Sequence, residues 1–568
     1  SSSDSTNSIS AFKALSAAVS GNVGLGNLAG VAIAIATGGP GAIFWMWIVA
    51  FFGMALRFAE CSIGNKQKKQ KPSGEYYGGP MWYISRKFGK HGLKLSKLYA
   101  ISLLIFTFGA GSLFQTNQAA QATNDLFSTP PIMFGLVMAV LITSIVYGGI
   151  KRIGQVTQFL TPIMCGGYLI CVFSIIISNI NMVPNVIYTI LHDAFTGYAV
   201  AGGSLGFVIQ TGMRRALFST TAGTGDVAIM YATVNVDKPS SQGYVGAVGP
   251  IIDTMLVCTA TAFAIIISGC FGSMSYSPIG TFSPSSTNSK HVINHIDETQ
   301  YDSTGLRTYV SNEDVVQFTP ERIKQTNNNP NQLFTYEITN SNTVPSMVRI
   351  PFNIVNGGID VWISVSNNNN NKTVEKISLT ANEDSYVWEN KTNKLIKNDF
   401  LIHKKGWYGQ VFKFNDLAST LGLINYDKNK ITNAKISIEV MPKSKYVNAL
   451  VGVPKLVKTN NGISLSLKAF GTKLNAFGTY FVTIFVILLS LSTILSFTYY
   501  TRIASIYLVG NQYAVIIEAL YILAIVLGSV MSMKTTVNLG DIASALMVFI
   551  NLPTLYLYRR EIKKMSKD

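Results

Sequence analysis

The sequence predicts an all-α polytopic membrane protein: a ten-helix core of two inverted five-helix repeats (5+5), with a β-rich extracytoplasmic insert. Three observations carry that expectation. Only 13% of the 568 residues are charged and 48% are hydrophobic, against roughly 25% charge in an average soluble domain. Ten apolar runs reach the roughly 17–25 residues needed to cross a hydrocarbon core of about 30 Å. Two of those runs, five apart in order, are broken by glycine-rich stretches, the sequence mark of an inverted-repeat architecture.

The runs fall at about 12–36, 41–64, 98–124, 131–149, 156–178, 197–217, 243–270, 477–507, 513–533 and 536–557. The first repeat is then 12–178, and the second starts over 197–270 and resumes after the insert, in a 476–568 segment that ends in a basic tail. The net charge of +17 is not laid out as a groove-binding face, so no nucleic-acid partner is expected. Its lysines and arginines cluster between alternate runs: Lys66 to Lys97, Lys151 and Arg152, Arg214, Arg215 and Lys238, and Arg559 to Lys567. The intervening connections 37–40, 125–130 and 179–196 carry none. That asymmetry predicts that both termini of the numbered chain are cytoplasmic, and the membrane crossed is expected to be a bacterial plasma (inner) membrane. No cleavable leader is visible in Ser1–Asn7, and the missing initiator methionine suggests numbering that begins inside a longer product or after a tag. The five cysteines lie in or at the ends of apolar runs without zinc or redox spacing, as buried thiols do.

Residues 271–475 differ in kind. Stretches such as "VWISVSNNNNN" and "KISLTANEDSYVW" alternate apolar with polar residues between Asn, Gly and Pro turns. They read as short strands, and roughly 200 residues suffice to bury a core. By the charge pattern this insert lies outside.

The first break reads "SGNVGLGNLAG", Ser20 to Gly30. A glycine inside a helix costs roughly 1 kcal/mol relative to alanine, and an unsatisfied amide in an apolar medium costs several more. Unwound backbone at membrane depth is tolerated where it lines a cavity. There, half-helix N–H groups suit a carboxylate and freed carbonyls suit a cation. Close helix packing through small residues is the competing explanation. The sixth run is read as broken at Gly202–Gly206, within "AGGSLGF". The later "STTAGTGD", Ser219 to Asp226, is assigned to the inner loop because Arg214 and Arg215 are taken to mark the end of the run.

"GNVGLGNLAGVAIAIATGG", "GGPMWYI" (Gly78–Ile84), "GGIKRIG" (Gly148–Gly154), "IDTMLVCTATAF" (Ile252–Phe263) and "LSTILSFTYY" (Leu491–Tyr500) resemble the alanine or glycine:cation (sodium) symporter family, of leucine-transporter fold. The resemblance implies a small amino-acid substrate, Na+ as the coupling ion and no organic cofactor. It implies a substrate site at Gly24, Leu25, Gly26, Gln115 and Asn117, with Gly202, Gly203, Ser204, Gly206 and Phe207 opposite. It implies sodium ligands Asn22 and Asn27 at one site, and Ser20, Val23, Ser492 and Thr493 at another. The chain departs from the family at Leu25, where a threonine is usual, at Ser219-Thr220-Thr221, and at Thr501-Arg502.

Other roles compete for the same side chains. The Ser492 and Thr493 hydroxyls could bond back to the preceding turn, and Gln115 and Asn117 could fasten helices together. Asp253, Glu518 and Asp541 are costly in a membrane, and an essential Asp253 would point to protons rather than sodium. Arg57 and Glu60, three apart, read as a structural pair. "AGTGD" lacks the Lys-Ser/Thr of a nucleotide loop, and no nucleophile–base pair or metal cluster stands out, so catalysis is not expected. The expected function is sodium-coupled symport of a small neutral amino acid by alternating access. The alternative is a sensor or surface-display protein whose outer insert binds an extracytoplasmic partner.

Overall fold

The computed structural model describes residues 11–70, 76–147, 149–196, 205–270 and 461–567, together with the strand residues of 272–460 and their immediate flanks. The chain divides into two units, Ser1–Phe271 with Asn461–Asp568, and Gly272–Asn460.

The first unit is helical. It comprises α1 (Ala11–Asn22), α2 (Ala29–Gly38), α3 (Ala42–Lys66), α4 (Pro80–Lys87), α5 (Gly92–Phe106), α6 (Phe114–Phe127), α7 (Pro131–Val146), α8 (Gly149–Ser178), α9 (Val183–Thr196) and α10 (Leu205–Thr220). It continues with α11 (Ala228–Tyr231), α12 (Pro239–Ala247), α13 (Thr259–Ile267), α14 (Ile463–Val530), α15 (Met533–Leu557) and α16 (Arg559–Met565). Two π-helical stretches, Thr107–Leu113 and Ile251–Cys258, join α5 to α6 and lead into α13. Each apolar run of the sequence meets a helix. Six helices among the described residues are long and apolar enough to cross a membrane, including α3, α15 and the 68-residue α14.

Straight, α14 would extend about 100 Å at 1.5 Å per residue, more than three hydrocarbon thicknesses. It folds back instead at Asn475 (φ 56°, ψ −150°) and Gly510 (φ 82°, ψ 170°). The reversal at Gly510 separates the expected runs 477–507 and 513–533, and the one at Asn475 immediately precedes the first of them. The helix also starts at Ile463, earlier than the expected boundary at 475, because Ile463, Leu465, Leu467 and Phe470 bury their side chains in the helical unit. The α6–α7 turn is sequence-encoded in the same way. Ser128 takes a left-handed φ of 53°, and Pro131 opens α7 at the position where a missing N–H costs nothing.

Burial is inverted relative to a soluble protein. Large apolar side chains such as Val140, Phe159, Ile170 and Phe549 are exposed, while Ser20, Asn27, Thr116, Ser492 and Thr501 are 0% exposed. That is the expected distribution where lipid is the solvent and hydroxyls and amides fasten helices together.

In Gly272–Asn460 the described strands pair antiparallel. The 21-residue strand Met347–Asn367 is central. Its C-terminal half pairs with Asn370–Ala381 and Ala434–Pro442, and its N-terminal half with Tyr408–Lys413, Asn448–Gly452 and Lys455–Thr459. Ile359 and Val361 lie on one face two residues apart, and Val361 sits opposite Val440, the period-two packing a sheet core requires. The strand Met274–Tyr276 pairs with Lys455–Thr459 in the register Tyr276–Val457 and Met274–Thr459.

Two glycines test the packing. A Cβ on Gly528 would lie 2.7 Å from the Leu113 backbone, whereas one on Gly166 meets nothing within 4 Å. Gly528→Ala should lower stability by about 1–3 kcal/mol through overpacking. Gly166→Ala should be neutral or stabilising by up to about 1 kcal/mol. Thermal unfolding in detergent compares the two.

Candidate substrate and ion site

Span 1 unwinds between Asn22 and Ala29. The unwound groups are met one by one. The Leu25 N–H donates to Gln115 Oε1 at 3.0 Å, and the Gln115 amide donates in turn to Ala110 O at 3.1 Å, within the first π-helical stretch. The Asn27 N–H turns back to Gly24 O at 3.1 Å. Gly24 has no room for a side chain: a Cβ there would sit 2.4 Å from Thr493 Oγ1. A Cβ on Gly26 would meet the Phe218 ring at 3.2 Å. The glycines thus bring bare backbone against α14 and α10.

A cluster of hydroxyls closes the α1 side. Thr493 Oγ1 donates to Ser20 O at 3.0 Å, and Ser20 Oγ donates to Ser492 O at 2.9 Å. Ser20 Oγ also touches Ser492 Oγ, and Ser496 Oγ donates to Ser20 Oγ at 3.2 Å. All four side chains are 0–1% exposed. The expected set Ser20, Ser492 and Thr493 is therefore brought together across two helices, with Ser496 an addition and Val23 buried at the start of the break.

On the other side, Asn27 Nδ2 donates to Asp253 O at 2.8 Å. Its Oδ1 is buried with no hydrogen-bond partner among the described residues. Asp253 Oδ1 accepts from Thr254 Oγ1 at 2.8 Å, and Thr254 Oγ1 lies 3.1 Å from Ser219 Oγ. Asp253 and Thr254 belong to the second π-helical stretch. Such bulges recur at functional sites because they turn side chains and carbonyls out of the helical ladder.

The opposite wall differs from expectation. Gly202, Gly203 and Ser204 lie outside the described residues. Gly206 and Phe207 sit in the first turn of α10 and are exposed. The helix runs unbroken to Thr220, and the interruption comes at Thr221–Val227, where residues 219–230 are all buried. The stretch assigned to an inner loop is thus the one that faces span 1. The assignment failed because Arg215 does not mark the end of the run. It is 4% exposed, ion-paired with Asp541 of α15, and its guanidinium lies 5.3 Å from the Phe218 ring centre.

A charged clamp holds this second break. Arg57 Nη2 donates to Thr220 O and, at 2.7 Å, to Thr221 Oγ1, while Nη1 lies 3.9 Å from Asp226 Oδ1. Thr221 has φ 45°, a left-handed conformation that a β-branched residue adopts only when its surroundings enforce it. Its hydroxyl donates to Asp226 Oδ1 at 2.9 Å, with Asn22 Oδ1 a longer acceptor at 3.4 Å. Glu60 interacts with the Arg57 charge as expected, and it also accepts from Asn551 Nδ2 at 2.9 Å, with Asn551 holding Gly223 O as well. Tyr83 and Tyr99 secure Asn551 Oδ1 and Thr224 O, each at 2.6 Å.

Asn117 takes the fastening role. Its amide donates to Gly528 O at 3.2 Å and Met531 O at 2.7 Å, and its oxygen accepts from Gln118. Sequence reasoning passed over Phe218, Ser219, Thr254 and Asp226. The hydroxyl- and glycine-rich "STTAGTGD" was the signal that could have found two of them, Ser219 and Asp226.

Comparison with known proteins adds a second line. A family model described as the sodium:alanine symporter family matches residues 1–291 and 443–568. A sodium/alanine symporter, AgcS, of Methanococcus maripaludis is 38% identical over 265 residues, which is 46% of this chain and 58% of that protein. An amino-acid carrier protein, AlsT, of Bacillus subtilis is 38% identical over 262 residues, 46% of this chain and 55% of that protein. A probable sodium/glutamine symporter, GlnT, of the same organism is 36% identical over 270 residues, 47% of this chain and 55% of that protein. The chain spans somewhat more than half the length of the curated relatives it matches.

Arg215 is the residue whose role changed most between sequence and structure. Arg215→Met should destabilise the protein by about 3 kcal/mol, because it strands the largely buried Asp541 carboxylate. Arg215→Met combined with Asp541→Leu should recover most of that loss. Thermal unfolding of the two variants and the parent measures both.

Proposed function

This chain belongs to the sodium:alanine symporter family, a family of transporters and not of enzymes, and on that premise we propose that it imports a small neutral amino acid coupled to Na+ by alternating access. The observation that carries the proposal is the buried break of span 1 and the oxygens gathered around it. Oxygens are the donor set a hard cation takes, and here Ser20, Ser492 and Thr493 offer hydroxyls and carbonyls at one end. Asn27 offers an unpartnered amide oxygen at the other. The residues present fit Na+ as a transported ion.

The substrate carboxylate would take the Gly26 N–H and the second hydrogen of the Gln115 amide, whose oxygen holds the Leu25 N–H and whose first hydrogen goes to Ala110 O. The substrate side chain would lie against Leu25 and Phe218, both apolar and buried, with the Phe218 ring set close against Gly26. Relatives in the family carry names for different substrates, alanine for one and glutamine for another, so the wall residues rather than the fold decide which amino acid moves.

We read the helices as ten crossings in two inverted repeats, with span 1 and the α10–α11 segment as the matched broken pair. Both termini of the numbered chain would lie in the cytoplasm of a bacterial cell and the Gly272–Asn460 unit outside, as the placement of Lys and Arg supports. Voltage supplies roughly 2.3 kcal/mol per charge per 100 mV. At 1.4 kcal/mol per tenfold, one Na+ sustains accumulation of about fifty-fold.

Uptake of radiolabelled alanine and glycine into proteoliposomes, with and without an inward Na+ gradient, tests the reading. The parent should show gradient-dependent uptake that Asn27→Ala and Thr493→Ala abolish. Equal uptake in both conditions, or undiminished uptake by Asn27→Ala, would sink it. Phe218→Leu should widen the site and raise glutamine uptake relative to alanine by about tenfold or more, measured by competition.

A further inference from the structure

Four formally charged side chains lie near the two breaks at 0–1% exposure: Arg57, Glu60, Asp226 and Asp253. That is one cation against three carboxylates. Arg57 faces Asp226, and Glu60 is held by Asn551. Asp253 touches no cation among the described residues, and the Arg57 charge acts on it only across a distance. Its Oδ1 accepts from the Thr254 hydroxyl, a neutral donor, and its Oδ2 has no hydrogen-bond partner among the described residues. No ion pair to it occurs among those residues either.

The second orphaned oxygen belongs to the residue bonded to it. Asn27 Nδ2 donates to the Asp253 carbonyl at 2.8 Å. A carbonyl can only accept, so this bond fixes which end of the amide is nitrogen and leaves Oδ1 as the free end. Two bonded residues from different helical segments therefore each present a buried oxygen with nothing to receive. The hydroxyls of Thr254 and Ser219 lie alongside. A buried carboxylate with no cation beside it is costly, and a small hard cation lodged between these residues would supply what both free oxygens lack.

We propose that the Asp253 carboxylate is a ligand of the Na+ held by Asn27, and that the protein itself thereby supplies that ion's countercharge. The inference rests on the sodium-coupled reading above and goes further in one respect. An ion neutralised by a substrate carboxylate binds well only when substrate is present. An ion neutralised by Asp253 binds to the protein alone, before the amino acid arrives.

The full chain in detergent, free of amino acids, is titrated with NaCl at constant ionic strength against choline chloride, and the unfolding temperature is read, with KCl as control. The expected result is a saturable rise with Na+ that K+ does not reproduce, and a half-saturating Na+ concentration at least ten-fold higher in Asp253→Asn. Asp253→Asn should unfold in choline chloride no earlier than the parent, since it removes an unpaired buried charge. A parent that responds to Na+ only when alanine is added would overturn the inference, and this arm needs no variant to fold. An unchanged Na+ response in Asp253→Asn would overturn it equally. Proteoliposome uptake separates the two levels. Na+-driven uptake with no amino-acid-free response leaves transport standing without this ligand, and the response without uptake leaves the ion site standing without transport.

Discussion

The helical unit is organised around one unfavourable act, the unwinding of a buried helix at Asn22–Ala29. Backbone N–H and C=O groups released in an apolar interior cost several kcal/mol each unless they find partners. The neighbouring helices can be understood as the supply of those partners. Gln115 meets the Leu25 N–H, the Ser492–Ser496 turn meets Ser20, and the Asp253 carbonyl holds the Asn27 amide. Each partner in turn needs its helix at a particular distance. This is why glycine faces Thr493 at position 24 and Phe218 at position 26, where any larger residue would hold the helices apart.

The second break is stabilised by a different chemistry. Thr221–Val227 is gripped by charge and by tyrosine hydroxyls from α3, α4, α5 and α15 rather than by serine and threonine from one helix. Several atoms of that grip, including Arg57 Nε and Asp226 Oδ2, have no partner among the described residues. Partly satisfied polar networks in a low-dielectric interior carry high stakes in both directions. The two breaks meet where Thr221 reaches Asn22, so the rigid hydroxyl cluster and the charged grip bear on the same few residues.

Much of this was legible in the sequence, and the reasons differ by residue. Helix positions were readable because apolar runs of the necessary length have few alternatives. The span 1 break was readable because glycines and asparagines inside such a run admit few explanations. The second break was misplaced because Arg214 and Arg215 were read as surface charges, and a sequence does not disclose that Asp541, over three hundred residues away, neutralises one of them. Asn117 and Gln115 look alike in the sequence, two residues apart. A helix turns such positions by about 200°, so one amide reaches the break and the other reaches Met531. Asp253 was legible as an anomaly, but its bond to Asn27 runs through a main-chain carbonyl, which no residue type records.

The pairing of Met274–Tyr276 with Lys455–Thr459 has a consequence for how this chain tolerates change. Adjacent strands lie about 4.8 Å apart, so the first and last described strands of Gly272–Asn460 run side by side although about 180 residues separate them in sequence. Bringing those two strands together costs only about 0.6 kcal/mol more for each doubling of the chain between them, so the pairing tolerates a long intervening segment. Such a unit is closed by its own hydrogen bonds: its first and last described strands hold each other, so the ends of the sheet need no outside element to keep them together.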